Sequence, residues 1–266
     1  MQSLRSDDAE IFYEVRGQGP AVVLLHPFPV HHEFWSPVIP ALESRYRLIL
    51  PDLRGHGESG VGAGPAVMAK HAADILRVMD AAGADEAAFI VCSIGGYIVF
   101  EILRRQRQRV SALALCDTKP QADSVEARAN RLKSAEMVLE QGTEIFLKGL
   151  APKLLGETTI GTRPDLVEGA LRMMRKMSAE DISLVLQGMA ERPDSTRDLK
   201  HLNLPALIVL GEEDTFSTVA DGELMRQNIP GSRLSMIAKA GHYAPWERPE
   251  AVGPLLRQFL DFVPLA

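Results

Sequence analysis

The stretch from Phe89 to Phe100 constrains the fold more than any other part of the chain. It begins with a continuous apolar run typical of a buried parallel strand, and Ser93 and Gly95-Gly96 interrupt that run. The apolar residues that follow recur with the spacing of a helix. A serine at the apex of such a strand–turn–helix unit projects out of the sheet, and the first N–H groups of the helix face any negative charge that develops beside it. The pattern therefore predicts that Ser93 is a nucleophile.

The neighbours of Ser93 leave this interpretation open. A G-x-S-x-G turn requires small residues two positions before and two positions after the serine, because strand and helix nearly touch there. Gly95 meets this requirement and Val91 does not. Taken alone, the stretch is equally typical of a glycine-rich helix start packed on a sheet.

Two other residues invite a catalytic role, and we interpret both as structural. Cys92 lies one residue before the apex, which points its thiol into the packed sheet and favours a buried hydrophobic role. His56 lies between two glycines in the segment PDLRGHGES, where a histidine bonded to nearby backbone is the simpler interpretation.

The composition indicates an ordinary globular chain with one sizeable core. Of the 266 residues, 46% are hydrophobic and 24% are charged. The net charge of -6 offers no basic surface for nucleic acid or for an anionic membrane. No apolar run suits a signal segment or a membrane span, and the two cysteines give neither a disulfide framework nor zinc-type spacing. We therefore expect a cytoplasmic protein with no metal, cofactor, nucleic-acid or membrane partner.

Strand and helix patterns alternate along most of the chain. After an antiparallel edge strand at 10–16, buried strands are predicted at 21–25, 47–50, 87–92, 110–116, 204–210 and 233–238. This alternation predicts right-handed βαβ units and a mainly parallel sheet, which binds ligands beyond the carboxyl ends of its strands. Ser93, Phe28 and Asp117 are predicted at those ends. Between Pro27 and Pro29, Phe28 has the one N–H group at the tip of its loop.

From residue 119 to about residue 200 the strand pattern gives way to amphipathic helices. Four are predicted, at 124–140, 144–150, 164–177 and 178–191. An all-helical block between two strands of a sheet is interpreted as a cap over its catalytic edge. We therefore divide the chain into a core, 1–118 and 201–266, and a cap, 119–200.

A serine hydroxyl at neutral pH is a poor nucleophile, so Ser93 needs a base that an acid holds in position. Asp214 follows the strand at 204–210, and His242 follows the strand at 233–238. The chain thus supplies serine, acid and histidine in the order, and at the sheet edge, that the α/β-hydrolase fold uses.

From Glu10 to its C-terminus the chain resembles the α/β-hydrolase superfamily. The matching segments are LLHPFP, PDLRGHGES, SIGGY, GEED and AGHYAPWERPE, and their order and spacing carry the resemblance. The departures are Val91 in place of the usual glycine, and Pro27 where the family often has glycine after His26. The resemblance implies an α/β-hydrolase fold, with a mainly parallel eight-stranded sheet, flanking helices and an inserted helical cap.

The resemblance also implies roles for individual residues. Ser93 Oγ attacks an acyl carbon, His242 accepts its proton and passes it to the leaving alcohol, and Asp214 holds the imidazole. The N–H groups of Phe28 and Ile94 form the oxyanion hole, where each donor contributes about 3 kcal/mol in comparable sites. Water then hydrolyses the acyl-enzyme.

The family spacing of a glycine, two residues and the acid selects Asp214 over its neighbours Glu212 and Glu213. Asp117 is the rival, because some relatives carry the acid after that earlier strand.

Serine at the apex, where haloalkane dehalogenases and epoxide hydrolases use a carboxylate, implies a carboxylic-ester hydrolase. Its substrate is a small ester or a lactone, with enol-lactones and acyl-homoserine lactones among the candidates. The alternatives are a cofactor-free perhydrolase, a carbon–carbon bond hydrolase, and a protein that keeps the triad but mainly binds ligands. Turnover of a generic ester separates the enzymes from the binding protein.

The candidate pocket residues indicate an apolar cavity. They are Trp35, Met173, Met174, Met177 and Met189. For any single methionine, packing inside the cap is the alternative. Because no charged pocket is visible in the sequence, we expect acyl chains to gain about 0.8 kcal/mol per buried methylene, with little dependence on salt.

Overall fold

The computed structural model describes residues 1–265, and within them eight strands form one sheet. The strands are β1 (Gln2–Ser6), β2 (Ala9–Arg16), β3 (Ala21–Leu25), β4 (Arg47–Pro51), β5 (Ala87–Cys92), β6 (Val110–Cys116), β7 (Ala206–Gly211) and β8 (Arg233–Ile237). Their order across the sheet is β1-β2-β4-β3-β5-β6-β7-β8. The pairs β1–β2 and β2–β4 are antiparallel, and every pair from β4 to β8 is parallel. The predicted mainly parallel, eight-stranded α/β-hydrolase sheet is confirmed.

Strand β1 is the one that the sequence pattern does not reveal. It pairs with β2, with Gln2 opposite Tyr13 and Ser6 opposite Ala9. Only Ser6 of the strand is buried. Because an edge strand has a single neighbour and buries little surface, the sequence QSLRS carries no alternation of apolar and polar residues to detect.

Helices cover the faces of the sheet and fill the long connection between β6 and β7. Before β6 lie α1 (Ile39–Leu42), α2 (Met68–Ala81) and α3 (Ile94–Gln106). Between β6 and β7 lie α4 (Val125–Gln141), α5 (Thr143–Leu154), α6 (Glu157–Thr162), α7 (Pro164–Met174) and α8 (Ala179–Ala190). The last part of the chain forms α9 (Val219–Asn228), α10 (Ala244–Glu247) and α11 (Pro249–Asp261). No helix in residues 1–265 is both long and apolar enough to cross a membrane.

The segment between β6 and β7 contains five helices in the described residues, where the sequence predicts four. Helix α8 begins at the predicted capping box of Ser178 and Asp181. Helix α5 continues past the predicted end, through Pro152 to Leu154. The additional helix α6 has the sequence ETTIGT, which is too short and polar to show a helical period.

Three hydrogen bonds attach the turn between α5 and α6 to the loops at the carboxyl edge of the sheet. The Leu154 carbonyl accepts a hydrogen bond from the backbone N–H of His242 at 3.0 Å. The N–H of Gly156 donates to Glu247 Oε2, and the N–H of Thr158 donates to Glu213 Oε2, each at 2.8 Å. The inserted helices are thereby fixed beside the loop that carries His242.

Candidate active site

Ser93 occupies the turn between β5 and α3, as the sequence predicts. Its backbone φ of 52° and ψ of -114° lie in a region that an L-residue occupies at a cost of roughly 1–3 kcal/mol. Hydrogen bonds on both sides hold it there. Its N–H donates to the Cys116 carbonyl at 3.1 Å, and its own carbonyl accepts from Thr118 Oγ1 at 2.7 Å. The strained turn is therefore fixed by the neighbouring strand β6.

The close approach of strand and helix at this turn explains the departure at Val91. A Cβ atom on Gly95 would lie 2.8 Å from the Leu25 carbonyl oxygen and 3.2 Å from Val91 Cβ. Val91 itself is fully buried in β5. Val91 is accommodated because Gly95 has no side chain to contact it. One glycine, Gly95, therefore provides the space for which the family usually uses two glycines.

Ser93, His242 and Asp214 form a continuous chain of hydrogen bonds. Ser93 Oγ and His242 Nε2 are 2.8 Å apart, and His242 Nδ1 and Asp214 Oδ2 are also 2.8 Å apart. Asp214 Oδ1 accepts a further hydrogen bond from the N–H of Phe216 at 2.7 Å. Ser93 and Asp214 are each 9% exposed, and His242 is 3% exposed. The arrangement suits transfer of the serine proton to the imidazole, with the carboxylate facing the opposite nitrogen.

Asp117, the rival acid, lies close by but bonds to other groups. Its Oδ1 accepts from the N–H of Gly211 at 2.8 Å, and its Oδ2 accepts from the N–H of Ala244 at 3.0 Å. Burial and the nearby charge of Asp214 raise the pKa of the Asp117 carboxyl well above its usual value. Asp117 thus joins the ends of three neighbouring chain segments, and Asp214 is the carboxylate that contacts His242.

The two other candidates occupy structural positions. Cys92 is fully buried, and burial raises the pKa of its thiol well above the usual value, which opposes formation of a thiolate. Nδ1 of His56 lies 3.0 Å from the Arg54 carbonyl, which confirms the expected bond to nearby backbone. The ring of His56 packs edge-on against Phe28, with 5.9 Å between the ring centroids.

A cavity of about 470 Å³ opens beside Ser93 and His242. The sheet-edge wall, as we name it, consists of Phe28, Ser93, Tyr97, Phe216 and His242. The helix wall consists of the lining residues between 119 and 200, namely Lys119, Asp123, Ala127, Asn130, Arg131, Ser134, Phe146, Leu150, Lys153, Leu154, Leu186 and Met189. The cavity therefore lies between the sheet edge and the inserted helices.

The pocket lining differs from the sequence prediction in two respects. Met189 lines the cavity, but Trp35, Met173, Met174 and Met177 do not, because their side chains are buried in the hydrophobic core. The expectation of an uncharged pocket is wrong as well. Four ionised side chains line the helix wall, and they are Lys119, Asp123, Arg131 and Lys153.

Sequence reasoning missed these charged residues and Tyr97. Tyr97 lies four residues after Ser93 on α3, a spacing that places two side chains on the same face of a helix. Lys119 follows Asp117 by two residues at the carboxyl end of β6. The positions of Tyr97 and Lys119 near the site could therefore have been predicted from the sequence. Arg131 and Lys153 reach the pocket only through the packing of α4 and α5, for which the sequence gives no signal.

A second cluster of polar side chains lies away from the pocket lining. One potential metal-ligand atom from each of His31, His32 and Asp52 falls within 4.8 Å of the others. The Asp52 carboxylate accepts hydrogen bonds from His32 Nδ1 at 2.7 Å, from the His32 N–H at 2.9 Å and from the Glu58 N–H at 3.0 Å. Its lone pairs are therefore engaged in holding the loop after β4.

Comparisons with known proteins agree with this architecture. A family model described as alpha/beta hydrolase fold matches residues 20–249. A thermophilic esterase from Thermogutta terrifontis, solved with malate bound, is 34% identical and superimposes with a TM-score of 0.94 over 98% of both chains. The enol-lactonase from Burkholderia xenovorans LB400 has a TM-score of 0.90 at 23% identity, over 98% of this chain and all of that one. A 3-oxoadipate enol-lactonase of Acinetobacter baylyi is 26% identical over 251 residues, which are 94% of this chain and 92% of that protein.

Proposed function

The chain belongs to the α/β-hydrolase family, and on that premise we propose that it is a serine hydrolase that cleaves carboxylic esters or lactones. One observation carries the proposal, namely the unbroken hydrogen-bond chain from Ser93 Oγ through His242 to Asp214. The names of an esterase that is 34% identical and of an enol-lactonase that is 26% identical support the choice of scissile bond.

In the proposed reaction, Ser93 Oγ attacks the acyl carbon while His242 Nε2 accepts its proton. The imidazolium then protonates the leaving oxygen, and water, activated by the same nitrogen, releases the acyl group from Ser93. Asp214 keeps Nδ1 protonated and stabilises the imidazolium. For a lactone, the leaving oxygen stays attached to the acyl chain, so a single hydroxy acid is released.

We assign the oxyanion hole to the backbone N–H groups of Phe28 and Ile94. Ile94 directly follows Ser93 at the first position of α3, and Phe28 lines the same cavity as Ser93. Neither N–H donates to a protein acceptor among the described residues. Donors held in place without a partner are what a developing oxyanion requires. The Tyr243 hydroxyl donates to the Phe28 carbonyl at 2.9 Å, which fixes the orientation of this peptide loop.

We propose that residues 119–200 act as a cap over a core formed by 1–118 and 201–266. The helix wall encloses one side of the cavity, so a substrate that reaches Ser93 contacts both segments. The bonds from His242, Gly156 and Thr158 attach the turn between α5 and α6 to the core, which favours a cap fixed at this turn.

The decisive test is Ser93→Ala, assayed on 4-nitrophenyl butyrate and on a panel of lactones by acid release. We expect kcat to fall roughly 10⁴- to 10⁶-fold, with little change in thermal stability. A fluorophosphonate should add its mass once to the wild type and not to the alanine variant.

Ser183→Ala is the matched control, because Ser183 is buried in α8 outside the hydrogen-bond chain and should keep both turnover and labelling. Retained activity in Ser93→Ala would overturn the assignment of the nucleophile. Tight ligand binding without turnover in the wild type would favour the ligand-binding alternative.

A further inference from the structure

The charges around the cavity are distributed unlike those of the rest of the chain. The protein carries a net charge of -6. Of the four ionised side chains in the helix wall, three are cationic, Lys119, Arg131 and Lys153, and Asp123 is the one anion. A cavity with an excess of positive charge attracts anionic ligands, even when the molecule as a whole is negatively charged.

The pairing of these side chains leaves the two lysines available. Asp123 is bound on one side by Arg131, with Nε and Oδ2 2.7 Å apart, and on the other by Arg192, with Nη1 and Oδ1 2.7 Å apart. The charges of Asp123 and Arg131 are therefore satisfied within the protein. Among residues 1–265, no carboxylate oxygen lies within 4.0 Å of the ammonium group of Lys119 or Lys153.

Both lysines line the same cavity as Ser93 and His242. Lys119 Nζ donates to the Phe216 carbonyl at 2.8 Å, which leaves two of its three donors free. The ring of Phe216 lies against His242, with 5.2 Å between the ring centroids. Lys153 directly precedes Leu154, whose carbonyl accepts the backbone N–H of His242. Lys119 is thus bonded to the Phe216 loop beside His242, and Lys153 adjoins a residue whose backbone bonds to His242.

We propose that the substrate carries a carboxylate in addition to its scissile ester or lactone bond, and that Lys119 and Lys153 bind this carboxylate. This inference rests on the proposed hydrolase function and specifies its substrate class. A carboxylate bound by ammonium donors forms charge-assisted hydrogen bonds, which are about twice as strong as neutral ones. The apolar part of the lining, Phe146, Leu150, Leu186 and Met189, then contacts the carbon chain between the two functional groups.

The test compares esters that differ only in this charge. Mono-4-nitrophenyl adipate is paired with 4-nitrophenyl heptanoate, and 4-(butyryloxy)benzoate is paired with phenyl butyrate, which places the carboxylate on the acyl side or on the alcohol side. In at least one pair, we expect kcat/KM for the anionic ester to exceed that for the neutral ester by about tenfold or more. A rise in ionic strength should lower kcat/KM for the anionic ester alone.

The lysines are tested together in the double variant Lys119→Met and Lys153→Met. We expect the double variant to lose the preference for the anionic ester, while kcat/KM for the neutral ester changes less than about threefold. Lys148→Met is the matched control, because Lys148 is exposed on α5 and is not part of this lining. It should retain the wild-type preference.

Binding to the Ser93→Ala protein separates this inference from the proposed function, because it requires no turnover. Calorimetry should show monomethyl adipate, which carries one carboxylate, binding about tenfold more tightly than the uncharged methyl hexanoate, and the two lysine substitutions should remove the difference. If esters are hydrolysed but neither the anionic esters nor monomethyl adipate are preferred, the carboxylate subsite is wrong and the hydrolase stands. If monomethyl adipate binds through the lysines but no ester or lactone is hydrolysed, the proposed function is wrong and the anion site stands.

Discussion

The two walls of the cavity differ in what fixes their side chains. In the sheet-edge wall, Ser93 and His242 stand at the ends of β5 and β8, where the sheet and its backbone hydrogen bonds determine where they lie. In the helix wall, Arg131 is held by an ion pair with Asp123, while Lys153 is an exposed side chain on α5. The first wall contains no lysine, arginine, aspartate or glutamate, and the second contains all four such side chains of the lining.

If the proposed function and the proposed carboxylate site hold, the two walls separate the type of reaction from the choice of substrate. The proposed reaction requires three side chains in a chain of hydrogen bonds, which the sheet supplies at its carboxyl edge. Side chains of the helix wall can be substituted without disturbing that edge, because the helix wall contributes no atom to the hydrogen bonds that link Ser93, His242 and Asp214. Substitutions in the sheet-edge wall should therefore lower the rate of the reaction. Substitutions in the helix wall should change the preference among substrates, and their effects should be smaller.

After Ser93→Ala, the largest effect is expected from Asp214→Asn in the sheet-edge region. An asparagine opposite Nδ1 favours the wrong tautomer of His242, and kcat should fall roughly 10⁴-fold. Steady-state kinetics on a neutral ester measures the loss.

Asp117→Asn is the comparison variant, because it changes the rival carboxyl at the same edge. It should lower kcat by less than about a hundredfold, and it should cost about 1–3 kcal/mol of stability, since its amide faces a backbone N–H. Equal losses of kcat in the two variants would transfer the role of the acid to Asp117.

The next prediction concerns the free energy of unfolding at acidic pH, which should depend on residues near the sheet-edge wall rather than on residues 119–200. Residues 119–200 contain no histidine, whereas His56 is buried against Phe28. Burial lowers the pKa of His56 from 6.5 to about 4. Below pH 6.5 the unfolded chain therefore binds more protons at His56 than the folded chain does. The contribution of His56 to the free energy of unfolding is fully present above about pH 6.5 and is lost as the pH falls toward 4. The full loss is about 3 kcal/mol.

Urea unfolding between pH 7.5 and pH 4.5 checks this prediction. His56→Gln should show a shallower fall in the free energy of unfolding over that range than the wild type. His201→Gln, at an exposed site, should keep the wild-type slope. Burial also lowers the pKa values of His26 and His71, so part of the slope should persist in His56→Gln. An unchanged slope in His56→Gln would contradict the proposed contribution.

The smallest effects are expected from two glycine-to-alanine substitutions, one beside Ser93 and one on α5, which each add one methyl group. On Gly95, the new Cβ meets Leu25 and Val91, and we expect a loss of about 1–3 kcal/mol together with reduced kcat. On Gly149 of α5, the new Cβ has no neighbour within 4 Å, and we expect a gain of about 0.5–1 kcal/mol with unchanged turnover of a neutral ester. Thermal unfolding and kcat of both variants measure the contrast. A stabilised and fully active Gly95→Ala would show that strand and helix do not need their close approach.

The parallel sheet, the turn at Ser93 and the order of serine, acid and histidine could all be predicted from the amino-acid sequence. These features depend on apolar runs, glycine positions and the spacing between them, which are local properties of the chain. The edge strand β1 escaped detection because it buries a single residue. The cytoplasmic location and the absence of a nucleic-acid partner stay predictions of the composition.

The contact of Asp214 with His242 and the charged lining of the cavity are visible in the tertiary structure alone. Both aspartates follow buried strands, and family spacing alone favoured Asp214, whereas the 2.8 Å between His242 Nδ1 and Asp214 Oδ2 distinguishes them by contact. Whether a lysine ammonium group is available to a ligand depends likewise on whether a carboxylate of the protein lies close enough to pair with it. That is set by the packing of helices far apart in the sequence, because an electrostatic interaction depends on distance in space rather than on position along the chain.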